Sequence, residues 1–263
     1  MFAARLHAPG SIDKSPLVLE HVARPEVGAG QILIQVNQCG VCHTDLHLVE
    51  GEIIPDNYPI IPGHQIVGTV IEIGTAVTEV KIGQRVGIPW LYQACGNCDF
   101  CRRGEENLCK QARFTGFDVN GGYAEMVIAQ ARYALPLPDE LTDDQAAPLL
   151  CAGIIGYRSL HRANVQTGDR IGLFGFGASA HLAIQVARYW DCEVLVFTRS
   201  EKHRAHALDL GASWVGDAED NPPQSLDRAV IFAPVGNLAL RALELVRPGG
   251  TVAINAIHMT PIP

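Results

Sequence analysis

Four cysteines in the middle of the chain restrict its possible folds more than any other feature. They are Cys95, Cys98, Cys101 and Cys109, with the spacing C-x2-C-x2-C-x7-C. Four thiolates this close can surround one tetrahedral zinc ion and leave no position for water or substrate, which indicates a structural role. The alternatives are reduced surface thiols or an iron–sulfur cluster, for which the bacterial ferredoxin spacing is x2, x2, x3 with Pro after the last cysteine. The spacing favours structural zinc.

The overall composition is that of a folded globular protein. The chain has 263 residues, 48% of them hydrophobic, and a formal charge of -8, which excludes disordered, collagen-like and coiled-coil chains and disfavours nonspecific nucleic-acid binding. No apolar run reaches the roughly 18 residues that span a bilayer, and the N-terminus lacks the core of a signal peptide. We therefore expect a cytoplasmic enzyme without a nucleic-acid or membrane partner, in which close cysteines indicate metal rather than disulfides.

Three further residues could form a second metal site. Cys42 lies in Cys-His-Thr-Asp-Leu-His, His64 in Pro-Gly-His-Gln and Cys151 in Leu-Leu-Cys-Ala-Gly. Two thiolates and one imidazole would hold a zinc ion with its fourth position open, an arrangement that can bind an alcohol. Taken alone, each residue is weak evidence, because a buried Cys is usually a small core residue and a lone His next to Gly is usually a turn residue. Cys39 forms a Cys-x-x-Cys pair with Cys42, for which a redox motif is the alternative, and we expect Cys192 in the interior.

The hydrophobic pattern changes near the middle of the chain. Up to about residue 150, short β segments separated by Gly and Pro turns are predicted at 31–37, 66–73, 85–88 and 123–128. After a helix-compatible connector over 141–162, short apolar strands alternate with helical segments, which predicts βαβ units on a parallel sheet. The predicted strands are 171–174, 193–197, 213–215, 229–232 and 251–253, with helices at 178–190 and 201–210. The pattern predicts an α/β protein with a mainly-β domain over 1–150 and a second domain over 151–263.

A glycine-rich turn follows the first strand of the second half. Its G-x-G-x-x-A pattern consists of Gly175, Gly177 and Ala180, with Ala178 at the start of the helix. Glycines at the first two positions allow a tight turn and close approach of a pyrophosphate, which the helix N-terminus would receive. The strand before and the helix after supply the context that a dinucleotide site requires.

The end of the next strand indicates which dinucleotide is bound. An NAD enzyme usually has Asp or Glu there to accept hydrogen bonds from the ribose, but this chain has Thr198, Arg199 and Ser200. A guanidinium flanked by two hydroxyls suits a 2′-phosphate, so we expect NADP(H) rather than NAD(H). The alternative is a solvated Arg199, with Ser200 only capping the following helix.

Four separate motifs, in this order, resemble those of the zinc-dependent medium-chain alcohol dehydrogenases and extend over nearly the whole chain. They are the segment from Gly40 to His47, the Pro62-Gly63-His64 turn, the four-cysteine lobe and the G-x-G-x-x-A turn. The resemblance implies a GroES-like catalytic domain followed by a Rossmann domain, with substrate and nicotinamide meeting in the cleft between them. It also implies interconversion of alcohols with aldehydes or ketones, and a homodimer or homotetramer.

Carried over position by position, the resemblance identifies Cys42, His64 and Cys151 as ligands of the catalytic zinc and Asp45 as the residue that orients His64. The family usually has Glu after the Gly-His pair, where this chain has Gln65. A neutral amide in place of a carboxylate should leave the metal more electrophilic and its ligands slower to exchange.

The resemblance also implies a route for the substrate proton. Zinc as a Lewis acid lowers the pKa of a bound alcohol, so that the alkoxide forms near neutral pH and gives hydride to the nicotinamide. Thr44 resembles the hydroxyl that takes the alcohol proton, and His47 the outer member of the relay, reached through the cofactor ribose. Trp90 resembles a pocket-wall residue, with ordinary core packing as its alternative. Ile155 stands where many members have a Thr facing the nicotinamide.

The chain is about 80 residues shorter than is usual for this family, in which a sixth strand would continue the Rossmann sheet. We therefore expect a second domain that is incomplete at its C-terminus. Two alternative functions stay open at this point. One is a polyol dehydrogenase of the sorbitol type, and the other is an inactive, truncated cofactor-binding protein.

Overall fold

A computed structural model describes all 263 residues and divides them into two compact units, Met1–Cys151 and Ala152–Pro263. Unit 1 is mostly β and unit 2 alternates strands with helices. None of the helices combines the length and apolar character needed to cross a membrane.

Unit 1 is built on a five-stranded antiparallel sheet with two small two-stranded ribbons. Its strands are β1 (Phe2–Leu6), β2 (Leu17–His21), β3 (Gln31–Cys39), β4 (Ile66–Ile73), β5 (Arg85–Ile88), β6 (Leu91–Gln93), β7 (Arg113–Phe114), β8 (Met126–Gln130) and β9 (Leu135–Pro136). The large sheet has the order β8-β3-β4-β5-β9, and β1 pairs with β2 and β6 with β7. Alternating residues of β3 and β4, such as Ile32, Ile34 and Ile66, point into one apolar core.

The helices of unit 1 are short and lie in the connections. They are α1 (His43–Glu50), α2 (Asp99–Arg102) and α3 (Asp143–Pro148), with single 3-10 turns at Ile12–Lys14, Glu106–Leu108 and Ala131–Tyr133. After α3 the chain makes a wide π-helical turn over Leu149–Gly153. It then enters α4 (Ile154–Arg162), the first helix of unit 2.

Unit 2 is a parallel sheet with helices on both faces. Its further elements are β10 (Arg170–Phe174), α5 (Ala178–Tyr189), β11 (Glu193–Phe197), α6 (Glu201–Asp209), β12 (Trp214–Gly216), β13 (Leu226–Ile231), α7 (Asn237–Leu245) and β14 (Val246–Ile254). The strand order β12-β11-β10-β13-β14 is the 3-2-1-4-5 order of a dinucleotide-binding sheet. The order reverses between β10 and β13, and ligands of such sheets bind in the crevice at this switch point.

The sequence of the central strands explains why both faces of this sheet are covered. In β11, Val194 and Val196 pack with the cluster that includes Ile184 of α5, whereas Leu195 and Phe197 pack with the cluster on the α7 side. A strand that is apolar on both faces is stable only between two layers of helices. The predicted βαβ alternation is therefore confirmed.

Four predicted elements differ from the structure by three residues or more, one of them being the strand expected over 229–232, which is β13 at Leu226–Ile231. The strand expected over 123–128 is β8 at Met126–Gln130, because the preceding segment binds the loop opposite it: Tyr123 N donates to Pro62 O and Gly122 N to Gly63 O. The last strand begins at Val246 instead of Thr251, since the chain pairs with β13 directly after α7. The connector over 141–162 is two helices separated by the wide turn.

Candidate metal centres and dinucleotide site

The start of α1 holds Cys42 in position. The Cys42 Sγ accepts a hydrogen bond from Thr44 N at 3.3 Å, and Asp45 Oδ2 accepts one from Cys42 N at 2.9 Å, which together form a reciprocal cap. The other oxygen, Asp45 Oδ1, lies 3.3 Å from His64 Nδ1 and accepts from Gly63 N at 3.2 Å. The carboxylate of Asp45 therefore links α1 to the loop that carries His64, and it orients the imidazole so that Nε2 faces Cys42 Sγ and is available to a metal ion.

Gly63 brings the backbone of this loop close to its neighbours. Its φ of +97° lies in the left-handed region, and a Cβ there would be 2.7 Å from the ring of Tyr123 and 2.9 Å from Cys39 Sγ. Only glycine meets both conditions without strain. His64 is therefore buried, with its Nε2 3.4 Å from Cys42 Sγ at the start of α1.

The atoms of the second metal site converge as zinc ligands would. Cys42 Sγ lies 3.4 Å from His64 Nε2 and 3.9 Å from Cys151 Sγ, and all three ligand atoms are within 4.8 Å of one another. Tetrahedral zinc with Zn–S of about 2.3 Å and Zn–N of about 2.0–2.1 Å separates two sulfurs by about 3.8 Å and sulfur from nitrogen by about 3.6 Å. The donor set and its spacing therefore fit a zinc ion with three protein ligands.

The protonation of these three groups is coupled. The hydrogen bond from Cys151 lowers the pKa of Cys42 to about 4, against the opposing effect of burial and with the help of His64. The same hydrogen bond, together with burial, raises the pKa of the Cys151 thiol. Burial lowers the pKa of His64, but hydrogen bonds and charge from Asp45 and Cys42 outweigh it and raise the value to about 9. Without metal, the site therefore holds one thiolate, one thiol and an imidazolium.

Cys39 is not part of this site. Its Sγ contacts Gly40 O at 3.7 Å, and burial raises its pKa to about 12. A thiol that stays protonated at neutral pH is a poor nucleophile, so the structure does not favour the redox alternative. Cys192 is buried in unit 2, as predicted.

The four-cysteine lobe is a second convergent set. Cys98 Sγ and Cys101 Sγ are 3.5 Å apart, Cys95 Sγ and Cys101 Sγ 3.8 Å, and all four sulfurs including Cys109 lie within 4.8 Å of one another. Backbone amides of Cys95 and Gln111 donate to Cys109 Sγ and hold it in place. Such close spacing fits one tetrahedral ion rather than a multi-iron cluster, whose ligands surround a larger core.

Aromatic rings border the site formed by Cys42, His64 and Cys151. The Trp90 ring meets the His64 ring edge to face at a centroid distance of 4.8 Å and stacks on Phe114 at 5.1 Å, with Phe117 at 5.9 Å. Phe114 and Phe117 were not singled out from the sequence, since no motif marks them. Gln65 is buried next to Gly40, to whose amide its backbone carbonyl is hydrogen-bonded at 2.9 Å.

The expected relay residues both lie on α1. Thr44 is buried one residue from the helix start, and His47 lies about one turn further along. The His47 ring packs edge to face against His43 at 4.7 Å, and its Nδ1 is hydrogen-bonded to Glu52 Oε2. Glu52 has no motif that would have identified it from the sequence.

In unit 2 the glycine-rich turn leaves room where a phosphate would approach. Gly175 has a φ of +91°, and a Cβ there would lie 2.9 Å from Ala233. Gly177 caps α5 without any side-chain hydrogen bond, and a Cβ on it would meet nothing within 4 Å. Ala180 is fully buried against the sheet and takes the packing role of a third glycine. The uncapped amides and the open space fit a dinucleotide pyrophosphate.

The predicted phosphate-selecting residues lie at the end of the neighbouring strand, since Phe174 of β10 pairs with Phe197 of β11. Arg199 is exposed. Ser200 caps α6, its hydroxyl accepting from His203 N at 3.3 Å, and the Thr198 carbonyl accepts from Arg204 Nε at 2.8 Å.

Comparisons with known proteins agree with this geometry. Residues 28–139 match the alcohol dehydrogenase GroES-like domain. The whole chain is 49% identical to a Mycobacterium tuberculosis protein named as a probable alcohol dehydrogenase, AdhA, and spans 78% of it. An alcohol dehydrogenase of Geobacillus stearothermophilus is 36% identical over 95% of the chain and 77% of its own length.

Solved structures give the same result. The Helicobacter pylori CAD complexed with NADP(H) superposes with a TM-score of 0.87 at 28% identity, covering 99% of this chain and 76% of the other. A cobalt- and zinc-bound thermostable alcohol dehydrogenase from Pyrobaculum aerophilum gives 0.89 at 25% identity, covering 99% and 77%. The chain therefore belongs to the zinc-dependent medium-chain alcohol dehydrogenases.

Proposed function

We propose that this chain interconverts alcohols with aldehydes or ketones by zinc-dependent hydride transfer to and from a nicotinamide dinucleotide. The observation that carries the proposal is the convergence of Cys42 Sγ, His64 Nε2 and Cys151 Sγ at separations that suit zinc. Family membership supports the same reaction, and it does not favour the polyol or inactive alternatives.

In this proposal the three ligands hold the ion and Asp45 holds His64 in place. Zinc would supply Lewis acidity to the substrate oxygen, and the nicotinamide would supply or accept the hydride. The hydroxyl of Thr44, buried beside the ligand Cys42, would accept the substrate proton, and His47 would carry it outward. Trp90, whose ring contacts that of His64, would form one wall of the substrate pocket.

We further propose that the four-cysteine lobe holds a structural zinc, so that a fully loaded chain carries two ions. In the same scheme residues 1–150 form the GroES-like catalytic domain and 151–263 the dinucleotide-binding domain. The two thiol clusters need reduced cysteines, which supports a cytoplasmic location. A homodimer or homotetramer is expected from the family.

For the cofactor we propose NADP(H) in preference to NAD(H). The exposed guanidinium of Arg199 lies at the end of β11, next to the strand that leads into the glycine-rich turn. Two carboxylates near this strand end, Glu201 and Asp217, both pair with Arg204, at 2.9 and 3.7 Å. A 2′-phosphate would therefore find a cation here.

A scan of primary and secondary alcohols, aldehydes and sorbitol with both cofactors tests the activity. Absorbance of the reduced nicotinamide reports turnover, and elemental analysis should find about two zinc ions per chain. Preference for sorbitol would select the polyol alternative. Cofactor binding without turnover in metal-replete protein would select the inactive one.

Arg199→Ala tests the cofactor choice, with Lys202→Ala as a control that removes a neighbouring exposed cation. Loss of a charge-assisted hydrogen bond of about 1.5–3 kcal/mol should raise the KM for NADPH at least about tenfold. The KM for NADH should change less than about twofold, and Lys202→Ala should affect neither strongly. Equal effects of Arg199→Ala on both cofactors would refute the preference.

A further inference from the structure

The ring of Tyr123 packs against the loop that carries His64, although Tyr123 belongs neither to a sequence motif nor to the proposed set of zinc ligands. A Cβ placed on Gly63, the residue before His64, would lie 2.7 Å from Cδ1 and 2.9 Å from Cε1 of the tyrosine ring. The ring therefore rests directly on the Gly63 backbone. Because Gly63 N donates to Asp45 Oδ1, this contact brings Tyr123 close to the carboxylate that orients the imidazole.

Backbone hydrogen bonds fix the position of Tyr123 along this loop. Gly121 N donates to Ile61 O at 2.7 Å, and Tyr123 N donates to Pro62 O at 3.0 Å. The Tyr123 carbonyl accepts from Ala4 N at 2.8 Å. None of these bonds involves the hydroxyl, so Tyr123→Phe removes the hydroxyl while the bonds that place the ring are kept.

The hydroxyl of Tyr123 is buried and makes no hydrogen bond of ordinary length within the protein. Burial raises the pKa of this phenol, and the charge of Asp45 is the next largest cause, with smaller contributions from Cys39, a weak hydrogen bond to Asp45, and Cys42. The hydroxyl therefore stays protonated and lies within reach of the Asp45 carboxylate. A buried donor without a full partner costs free energy, which a bond to that carboxylate recovers.

Asp45 has an acceptor position that its known partners do not fill. It is buried, with Oδ2 accepting from Cys42 N and Oδ1 accepting from Gly63 N and facing His64 Nδ1. An ionised carboxylate offers about four acceptor positions on its two oxygens, so three donors leave one position. A buried donor in need of an acceptor therefore lies beside a buried acceptor in need of a donor.

We infer that Tyr123 is a positioning residue whose hydroxyl donates to the remaining acceptor position of Asp45. The bond restrains rotation of the carboxylate, so that Oδ1 stays directed at His64 Nδ1 and His64 Nε2 stays directed at Cys42 Sγ. Tyr123 thus acts on the metal site through Asp45. The inference rests on the proposed zinc-dependent function, because the restraint prepares His64 to bind the ion.

Tyr58 provides a matched control. Its hydroxyl is also buried without a hydrogen-bond partner, but its ring packs in an apolar cluster with Leu6, Leu48 and Ile60. Burial alone raises the pKa of Tyr58, and no charged group contributes. Tyr58→Phe therefore removes the same atom as Tyr123→Phe from a place where no carboxylate is available.

The test has one readout on zinc and one on metal-free protein. Chelator competition, with the four-cysteine lobe loaded, measures zinc affinity in the wild type, Tyr123→Phe, Tyr58→Phe, Asp45→Ala and the double variant Asp45→Ala with Tyr123→Phe. Carbon-13 NMR of the tyrosine Cζ atoms in mixed H2O and D2O measures how fast each hydroxyl exchanges its proton, without any turnover.

We expect Tyr123→Phe to weaken zinc binding about tenfold, the lower end of the range for residues that orient a metal ligand. Tyr58→Phe should change the affinity less than about twofold. In the Asp45→Ala background Tyr123→Phe should have no further effect, because it acts through Asp45. Exchange of the Tyr123 hydroxyl should be at least about tenfold faster in Asp45→Ala, through loss of a charge-assisted hydrogen bond, while that of Tyr58 stays the same.

Unchanged zinc affinity in Tyr123→Phe overturns the inference, as does an equal loss in the wild-type and Asp45→Ala backgrounds. Exchange of the Tyr123 hydroxyl that is as slow in Asp45→Ala as in the wild type shows that another group holds it and also overturns the inference. If the wild type retains no zinc at this site or oxidises no alcohol, the proposed function fails, while the NMR comparison still decides whether Tyr123 donates to Asp45.

Discussion

Binding of zinc to the proposed catalytic site of Cys42, His64 and Cys151 should release about two protons per ion at pH 7. Zinc needs thiolates and a neutral imidazole. Without metal, Cys42 is already a thiolate, because its pKa is about 4. His64, with a pKa raised to about 9, and Cys151, with a raised pKa, are both still protonated. These two groups supply the protons.

The magnitude follows from linkage. Each released proton strengthens apparent binding tenfold per pH unit, so two protons give about 100-fold, or about 2.7 kcal/mol, per unit. Because the pKa of His64 is raised, its contribution holds below about pH 9 and disappears above it. The dependence should therefore weaken to about tenfold per unit above pH 9.

Titration calorimetry measures this release directly. Zinc is added at pH 7 to protein whose four-cysteine lobe is loaded, in two buffers with different enthalpies of ionisation. The His64→Gln variant serves as the control, because it keeps the hydrogen bond from Cys151 that holds Cys42 as a thiolate, and it should release about one proton fewer. A single proton released by the wild type would show that His64 is already neutral without metal and would refute the charge assignment.

Three further outcomes are expected. Gly175→Ala should lower the free energy of unfolding by about 1–3 kcal/mol, because Gly175 has a positive φ and a Cβ there would contact Ala233. Gly177→Ala should change the free energy of unfolding by less than about 1 kcal/mol but weaken cofactor binding. Urea unfolding measures the first effect and a fluorescence titration the second, and equal losses of stability in the two variants would contradict the assignment. Ser200→Ala should cost about 1 kcal/mol in urea unfolding through loss of the α6 cap, and an unchanged midpoint would show that the cap adds nothing. Asp45→Asn should weaken zinc retention roughly 10- to 100-fold in a chelator competition, and wild-type retention would rule out its orienting role.

The sequence made the chemistry-bearing groups predictable wherever chemistry demands particular residue types at particular spacings. The cysteine lobe and the glycine-rich turn are local patterns of this kind. The parallel sheet of unit 2 was also predictable, because strands such as Glu193–Phe197 are apolar on both faces. For this strand the predicted first and last residues are those of the structure. Local structure that depends on contacts between residues far apart in the sequence was not predicted.

Two examples show the limit. The apolar periodicity over 141–162 is that of a helix, and nothing in it marks the wide turn that contains Cys151. The pairing of Glu52 with His47 depends on the left-handed Gly51 and on its packing against Pro9, which lies far away in the sequence. Such contacts are decided by tertiary packing, which a local pattern does not encode.

The wide turn at Leu149–Gly153 also bears on the order in which the two metal sites can assemble. It places Cys151 at the end of unit 1, 109 residues from Cys42, whereas Cys95 and Cys109 are 14 residues apart. In an unfolded chain, closing the longer loop costs about 1.8 kcal/mol more, roughly a 20-fold difference. During synthesis the four-cysteine lobe would therefore be able to take up its proposed ion while unit 1 is still incomplete, whereas the proposed catalytic site would be complete only once Cys151, the last residue of that unit, has been added.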